Sequence, residues 1–137
     1  MQIARLQGAI KYTVNSDLLF RPGSWQLSPN GEDIMAKMAK MLAPGMQGIQ
    51  EKLLVSGYTD NAPIGPALHR RGITSNEGLS QKRAESVAQY LVSHGVKADL
   101  VAAKGFGETD PMASNNTAAG RAQNRRVEIT VGSSAAS

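Results

Sequence analysis

The chain contains no cysteine, which excludes a disulfide framework, a thiolate zinc site and a cysteine nucleophile together. Its two histidines, His69 and His94, lie far apart, so a multi-histidine metal site is not expected, nor is any cofactor. Aromatic residues make up only 4% of the chain, too few for an obvious base-stacking platform. Apolar stretches such as Leu53 to Val55 fall far short of the roughly 20 residues of a spanning helix. No basic segment followed by an apolar one opens the sequence, so no signal peptide is read in it. An export signal or anchor is expected to lie outside the sequence given, and the chain itself is expected to be soluble.

What is present suits a globular protein. The 137 residues are 41% hydrophobic and 19% charged, enough for one domain with one core. Fifteen Lys and Arg against eleven Asp and Glu give a net charge of +4, with the basic residues scattered. Ile10, Tyr12 and Val14 alternate with polar residues, which predicts a half-buried strand running on towards Leu18-Leu19-Phe20. Ser28-Pro29, followed by Glu32 and Asp33, predicts a helix start. Ile34, Met38, Met41 and Leu42 form its apolar stripe, and Pro44-Gly45 is its expected stop. Leu53-Leu54-Val55 predicts a short strand ending in Ser56 to Asp60, and Asn61 to Ser75 a loop long enough to be functional. A second helix is expected from Asn76, with Thr74-x-x-Glu77 as a capping box. Ala84, Val87, Ala88 and Leu91 are its buried stripe, and Gly95 its end. A strand over Val101 to Phe106, a turn, a short helix over Thr117 to Asn124 and a strand carrying Val127, Ile129 and Val131 complete the chain. This order, β-α-β-α-β-(α)-β, predicts an α/β (α+β) sandwich, with helices packed on a mixed four-stranded sheet. Residues 1–131 are expected to form a single domain and 132–137 a flexible tail.

Two residues stand out by position. At about 100° per residue, Arg83 lies about 90° from the centre of the second helix's apolar stripe, with Asn76 within about 20° of it. A guanidinium on that border can pack its stem and present its head to a ligand, or be an ordinary boundary arginine. Asp60 closes a strand, where α/β folds place ligands; an Asx-type turn opening the following loop is the alternative.

Their neighbours narrow the choice. Tyr58-Thr59-Asp60-Asn61, Asn76-x-x-Leu79-Ser80-x-x-Arg83-Ala84-x-x-Val87, Gly105-Phe106-Gly107-Glu108-x-x-Pro111, Asn116, Gly120-Arg121 and Asn124-Arg125-Arg126-Val127-Glu128-Ile129 occur in that order. With Leu19-Phe20-x-x-Gly23-Ser24-x-x-Leu27-x-Pro29, the series resembles the OmpA-like domain from Leu19 to Val131. That module is shared by outer-membrane porin tails, peptidoglycan-associated lipoproteins and flagellar stator proteins. The resemblance implies non-covalent binding of the peptidoglycan stem peptide, with Asp60 and Arg83 gripping meso-diaminopimelate. The free end of that residue carries an ammonium and a carboxylate, so an acid and a base make a complementary clamp. Gly23, Ser24, Thr59, Asn76 and Leu79 are the implied pocket walls. The implied setting is the periplasm of a Gram-negative envelope, associated with the outer membrane through a segment absent from this chain.

Three features depart from the family pattern. Trp25 stands where a small residue is common; it can cover the pocket, mark a partner surface or pack as a core residue, and packing is expected. Tyr58 replaces the usual histidine. The segment from Asp60 to Asn76 is long, and its His69-Arg70-Arg71 cluster is expected to be solvated. Of Arg121, Arg125 and Arg126, at least one is expected to be structural, paired with a carboxylate or with loop carbonyls.

Rival readings carry fewer residues. Gly45-Met46-Gln47-Gly48 matches the GxxG of KH domains, but it leads into a strand where that loop must join two helices, and no nucleic-acid partner is expected. Gly105-x-Gly107 is a weak phosphate-loop signal, and no hydrolase or nucleotide motif accompanies it. Nothing pairs Asp60 with Glu77 or Glu108 across a cleft, so no enzyme is expected. A protein-interaction or stator-type envelope role with a degenerate pocket is the remaining alternative. Oligomeric state is not legible.

Overall fold

The computed structural model describes residues 2–6, 9–46 and 52–132. Among the described residues five strands form one mixed sheet in the order β1-β2-β5-β3-β4. These are β1 (Gln2–Leu6), β2 (Ala9–Asn15), β3 (Leu53–Tyr58), β4 (Val101–Gly107) and β5 (Arg126–Gly132). Only β3 and β4 run parallel, joined across the long helix α4 (Asn76–Ser93); the other neighbours are antiparallel. The expected mixed sheet is present, with one strand more than expected. The extra strand, β1, lies at the sheet edge with Gln2, Ile3 and Ala4 all exposed, so it carries none of the alternation that betrays a half-buried strand.

One face of the sheet is covered by α2 (Pro29–Met46) and α4. Period-two alternation sends Leu53 and Val55 of β3, and Val127 and Ile129 of β5, into this layer beside Val14 of β2. They meet Met35, Met38 and Leu42 of α2 and Ala84, Val87 and Leu91 of α4. Each of the larger side chains contributes roughly 2 kcal/mol by leaving water. The α2 stripe is rotated from the expected one: Met35 and Ala39 are buried, Ile34 is half-buried and Met41 is 48% exposed.

Several boundaries move for local reasons. Strand β2 stops at Asn15, whose side chain accepts from the Asp17 N–H (2.7 Å) and caps a one-turn helix, α1 (Ser16–Leu19), where a continued strand was expected. Ser28 does cap α2, accepting from the Gly31 N–H at 2.9 Å. That helix runs through Pro44 and Gly45 to Met46, so the expected stop falls slightly early; Gln47 and Gly48 of the GxxG motif lie outside the described residues. Ser75, not Thr74, caps α4 through the Gly78 N–H. At its other end Gly95 takes φ 111°, and Val96 N–H reaches the Leu91 carbonyl (3.1 Å) to close the helix. Within the expected loop, residues 66–70 form a short helix, α3 (Pro66–Arg70), and α5 (Ala118–Asn124) is capped by Thr117. Gly132 completes β5; residues 133–137, most of the expected tail, lie outside the described residues.

Gly57 and Gly105 explain how tightly α4 sits. A Cβ on Gly57 would meet the Ser80 backbone, and one on Gly105 the Gln81 backbone. Bare backbone on β3 and β4 therefore lets α4 settle onto the sheet, and Gly105 has a packing role in place of a phosphate-loop one.

Candidate ligand-binding site

Register brings three segments to one end of the sheet. Asn15 at the end of β2 pairs with Arg126 at the start of β5, and Arg126 pairs with Tyr58 at the end of β3. The residues just beyond this row are Asp17, Arg125 and Asp60, so three charged side chains converge by topology. The Ser16 N–H donating to the Arg125 carbonyl at 2.8 Å ties two of the segments together.

Asp60 is nearly buried, with 11% of its side chain exposed. Its Oδ1 accepts from the Ala62 N–H (3.0 Å), the Asx turn read as the alternative to a ligand role. Its Oδ2 accepts from Arg125 Nη1 at 2.7 Å. The same guanidinium reaches Asp17 with its Nε (3.1 and 3.3 Å) and its Nη2 (2.9 Å). Held between two carboxylates, Arg125 has its proton affinity raised, first by the Asp17 hydrogen bonds and also by Asp60, against the cost of burial.

Arg83 leaves α4 at the border of its buried face. Its guanidinium carbon lies 5.2 Å from the centre of the Phe20 ring, and its Nε donates to the Ser24 carbonyl (2.9 Å). Among the described residues its Nη groups carry no hydrogen bond. Burial pushes this guanidinium down from its ordinary value. The nearby charges act in both directions, Asp17 and Asp60 raising it and Arg125 lowering it. Asp60, Arg83 and Arg125 line one cavity of ≈ 210 Å³ with Thr59, Asn76 and Leu79. Arg83 also lines a larger groove of ≈ 570 Å³ with Asp17, Phe20 and Gly23. An acid, a base and apolar walls in this arrangement can hold a small zwitterion.

The other expected wall residues fall around these two openings. Thr59 is buried, its N–H on the Gly107 carbonyl (2.8 Å) and its hydroxyl on the Asp60 carbonyl (2.8 Å). Asn76 spans the Ala62 carbonyl (3.0 Å) and Glu108 (3.3 Å), and Leu79 is buried. Gly23 takes φ 61° in the exposed turn and offers only backbone. Ser24 is buried and contributes its carbonyl to Arg83.

Trp25 is half-buried rather than a core residue. The Arg71 guanidinium lies 4.2 Å from its ring centre, and the Lys82 ammonium 6.0 Å. Trp25 thus joins the turn after Phe20 to the Asn61–Ser75 segment. His69 and Arg70 are exposed, as a solvated loop requires.

Sequence reasoning missed Asp17 and did not place Arg125 among the ligand-binding residues. Asp17 follows the end of β2 in a segment read as continuing strand, so no local signal aimed it at Asp60. Arg125 does pair with carboxylates, and Arg126 and Arg121 reach loop carbonyls, at Asp110 (3.0 Å) and Asn115 (2.9 Å). Among the described residues no group of three or more His, Asp or Glu could hold a metal, and no helix is long and apolar enough to cross a membrane.

The chain is similar to known proteins. The chain is 37% identical over 132 residues to "Peptidoglycan-binding protein ArfA" of Mycobacterium tuberculosis, covering 93% of this chain and 36% of that protein. It is 35% identical over 131 residues to "Probable lipoprotein YiaD" of Escherichia coli, covering 96% of this chain and 55% of the relative. The chain therefore spans roughly a third to a half of these curated relatives. The solved cell wall anchor of the T6SS from Pseudomonas aeruginosa superposes with a TM-score of 0.84 at 32% identity, covering 96% of this chain and 87% of that one. The family model for the OmpA family matches residues 19–125, and the chain belongs to that family.

Proposed function

We propose that this chain is a non-covalent peptidoglycan-binding domain that anchors an envelope protein to the cell wall. The observation that carries the reading is the shared cavity: Asp60 and Arg83, from different elements, line one opening with Leu79 and Asn76. Support comes also from ArfA, named as peptidoglycan-binding, and from a cell wall anchor of similar structure.

The finer part of the proposal concerns the ligand. The Arg83 Nη groups suit a carboxylate as a two-pronged donor, and Asp60 retains acceptor capacity for an ammonium. A meso-diaminopimelate stem peptide presents both groups on one side-chain end, whereas a lysine peptide presents the ammonium alone. Residues 1–131 act in this reading as one binding unit, on the periplasmic side of an envelope. Outer-membrane association in a Gram-negative cell is the narrower form of the proposal. The work is binding, with no bond made or broken.

Calorimetric titration with a meso-diaminopimelate stem peptide, and a lysine peptide as control, tests the reading. The first is expected to bind and the second to bind far more weakly. Asp60→Ala and Arg83→Ala are each expected to weaken the first by on the order of 30-fold or more, the usual cost of removing one side of a desolvated charge pair. Unchanged binding by both variants would move the site elsewhere on the domain. Binding of neither peptide by the wild type would leave a protein-interaction role.

A further inference from the structure

Asp17 and Asp60 do not share Arg125 equally. Asp17 takes two nitrogens of the guanidinium, Nε and Nη2, while Asp60 receives only Nη1. A guanidinium fork ordinarily meets one carboxylate with two parallel bonds. Here the two-nitrogen grip falls on Asp17, the more exposed acid at 55%, and the single contact on the more buried one at 11%. A carboxylate offers about four acceptor positions. The Ala62 N–H and Arg125 Nη1 fill two of those on Asp60.

We propose that Asp17 is a positioning residue for the Asp60–Arg83 clamp: by holding the Arg125 fork it limits Arg125 to a single contact with Asp60 and keeps acceptor positions open for a ligand ammonium. The inference rests on the reading of this cavity as a zwitterion site. Charge balance argues the same way. With Asp17 present, two acids face two bases, Arg83 and Arg125. Without it, both guanidinium groups are left with Asp60 alone, and a local excess of positive charge repels an incoming ammonium while still accepting a carboxylate. Asp17 therefore sets selectivity for the ammonium end, although its contacts are with Arg125 and it does not line the smaller cavity.

The test uses Asp17→Asn and two stem peptides. One carries meso-diaminopimelate; the other keeps the distal carboxylate with hydrogen in place of the ammonium. Asp17→Asn is expected to lose roughly tenfold in affinity for the first, about one charge-assisted hydrogen bond, and to stay within about twofold for the second. Asp17→Glu, which keeps the charge, should restore most of the preference. Equal loss for both peptides would assign Asp17 a structural role only, and no loss for either would remove it from the site; both outcomes overturn the proposal. A crystal structure of ligand-free Asp17→Asn decides the geometry without any peptide. Arg125 is expected to turn two nitrogens onto Asp60, and a retained single contact overturns the mechanism. Should the wild type bind neither peptide, the zwitterion reading fails on its own, and that crystal structure still tests what Asp17 does to Arg125.

Discussion

Arg125 and Arg126 are neighbours in sequence, yet they occupy opposite kinds of environment. Arg125 ends α5 and reaches out past the sheet, 30% exposed, to two carboxylates from different segments. Arg126 opens β5 and points the other way, 4% exposed. Its Nε bonds Glu128 at 2.8 Å, its guanidinium lies 3.9 Å from the Tyr58 ring centre, and its Nη groups bond the Asp110 and Asn124 carbonyls. The pleat that separates them turns one arginine into part of a site and the other into part of the frame. Charge alone therefore does not mark a functional residue. What distinguishes Arg125 is that one of its partners, Asp60, lines the cavity that Arg83 also lines, whereas none of the partners of Arg126 does.

The sharpest way to break this contrast is to truncate both. Arg126→Ala takes the buried guanidinium away from Glu128, which keeps only a 3.9 Å contact with Lys11, and from the Asp110 and Asn124 carbonyls; it is expected to cost roughly 3–5 kcal/mol, the usual penalty for halving a buried ion pair. Urea unfolding measures it, and a loss below about 1 kcal/mol would show that Arg126 is not part of the frame. Next comes Asn124→Ala. Asn124 is fully buried; its side chain accepts from Met112 and Ala113 N–H and donates to the Ala113 carbonyl and to Asn115. About 2–3 kcal/mol is expected for leaving those groups unpaired. Arg125→Ala should cost only about 1 kcal/mol, because its pairs are partly solvated. In peptide titration Asp60, now without its guanidinium partner, is expected to keep its preference for an ammonium-bearing ligand. Loss of stability comparable to that of Arg126→Ala would erase the distinction between the two residues.

How much of this was legible depended on the distance over which each signal acts. The β3 and β5 strands, both long helices and the Ser28 and Gly95 ends were readable because alternation, period and capping are local. Strand β1 was not, since an exposed edge strand shows no burial pattern. The α2 stripe was rotated because Met41 and Ile34 fit the same period as Met35 and Ala39, and only the neighbouring α4 and sheet decide which face is covered. Asp60 and Arg83 were read from position and resemblance, and the fold places both on one cavity. Asp17 was invisible because its importance arises from β2, β5 and β3 ending in one row, a relation between segments more than 40 residues apart. The Arg71–Trp25 stack was hidden for the same reason: it joins two loops that no local pattern relates.

The smallest expected effect concerns the frame's other aromatic partner. Tyr58 stacks on Phe106, ring centres 5.2 Å apart, and sits under Arg126. Burial is the main cause that raises its phenol above the ordinary 10.0, with Glu128 adding to it and Arg126 opposing. The folded state therefore holds this proton more tightly than the unfolded one. Between about pH 10 and the folded value the native chain binds more protons, so stability falls as pH rises through that window and is unaffected by Tyr58 below it. Tyr58→Phe keeps the ring and removes the titration. Its stability is expected to decline less steeply above pH 10 than that of the wild type, measured by denaturation at a series of alkaline pH values. Parallel decline in both would mean that the phenol is not held by the buried frame, and would bring the environment of Arg126 closer to that of Arg125.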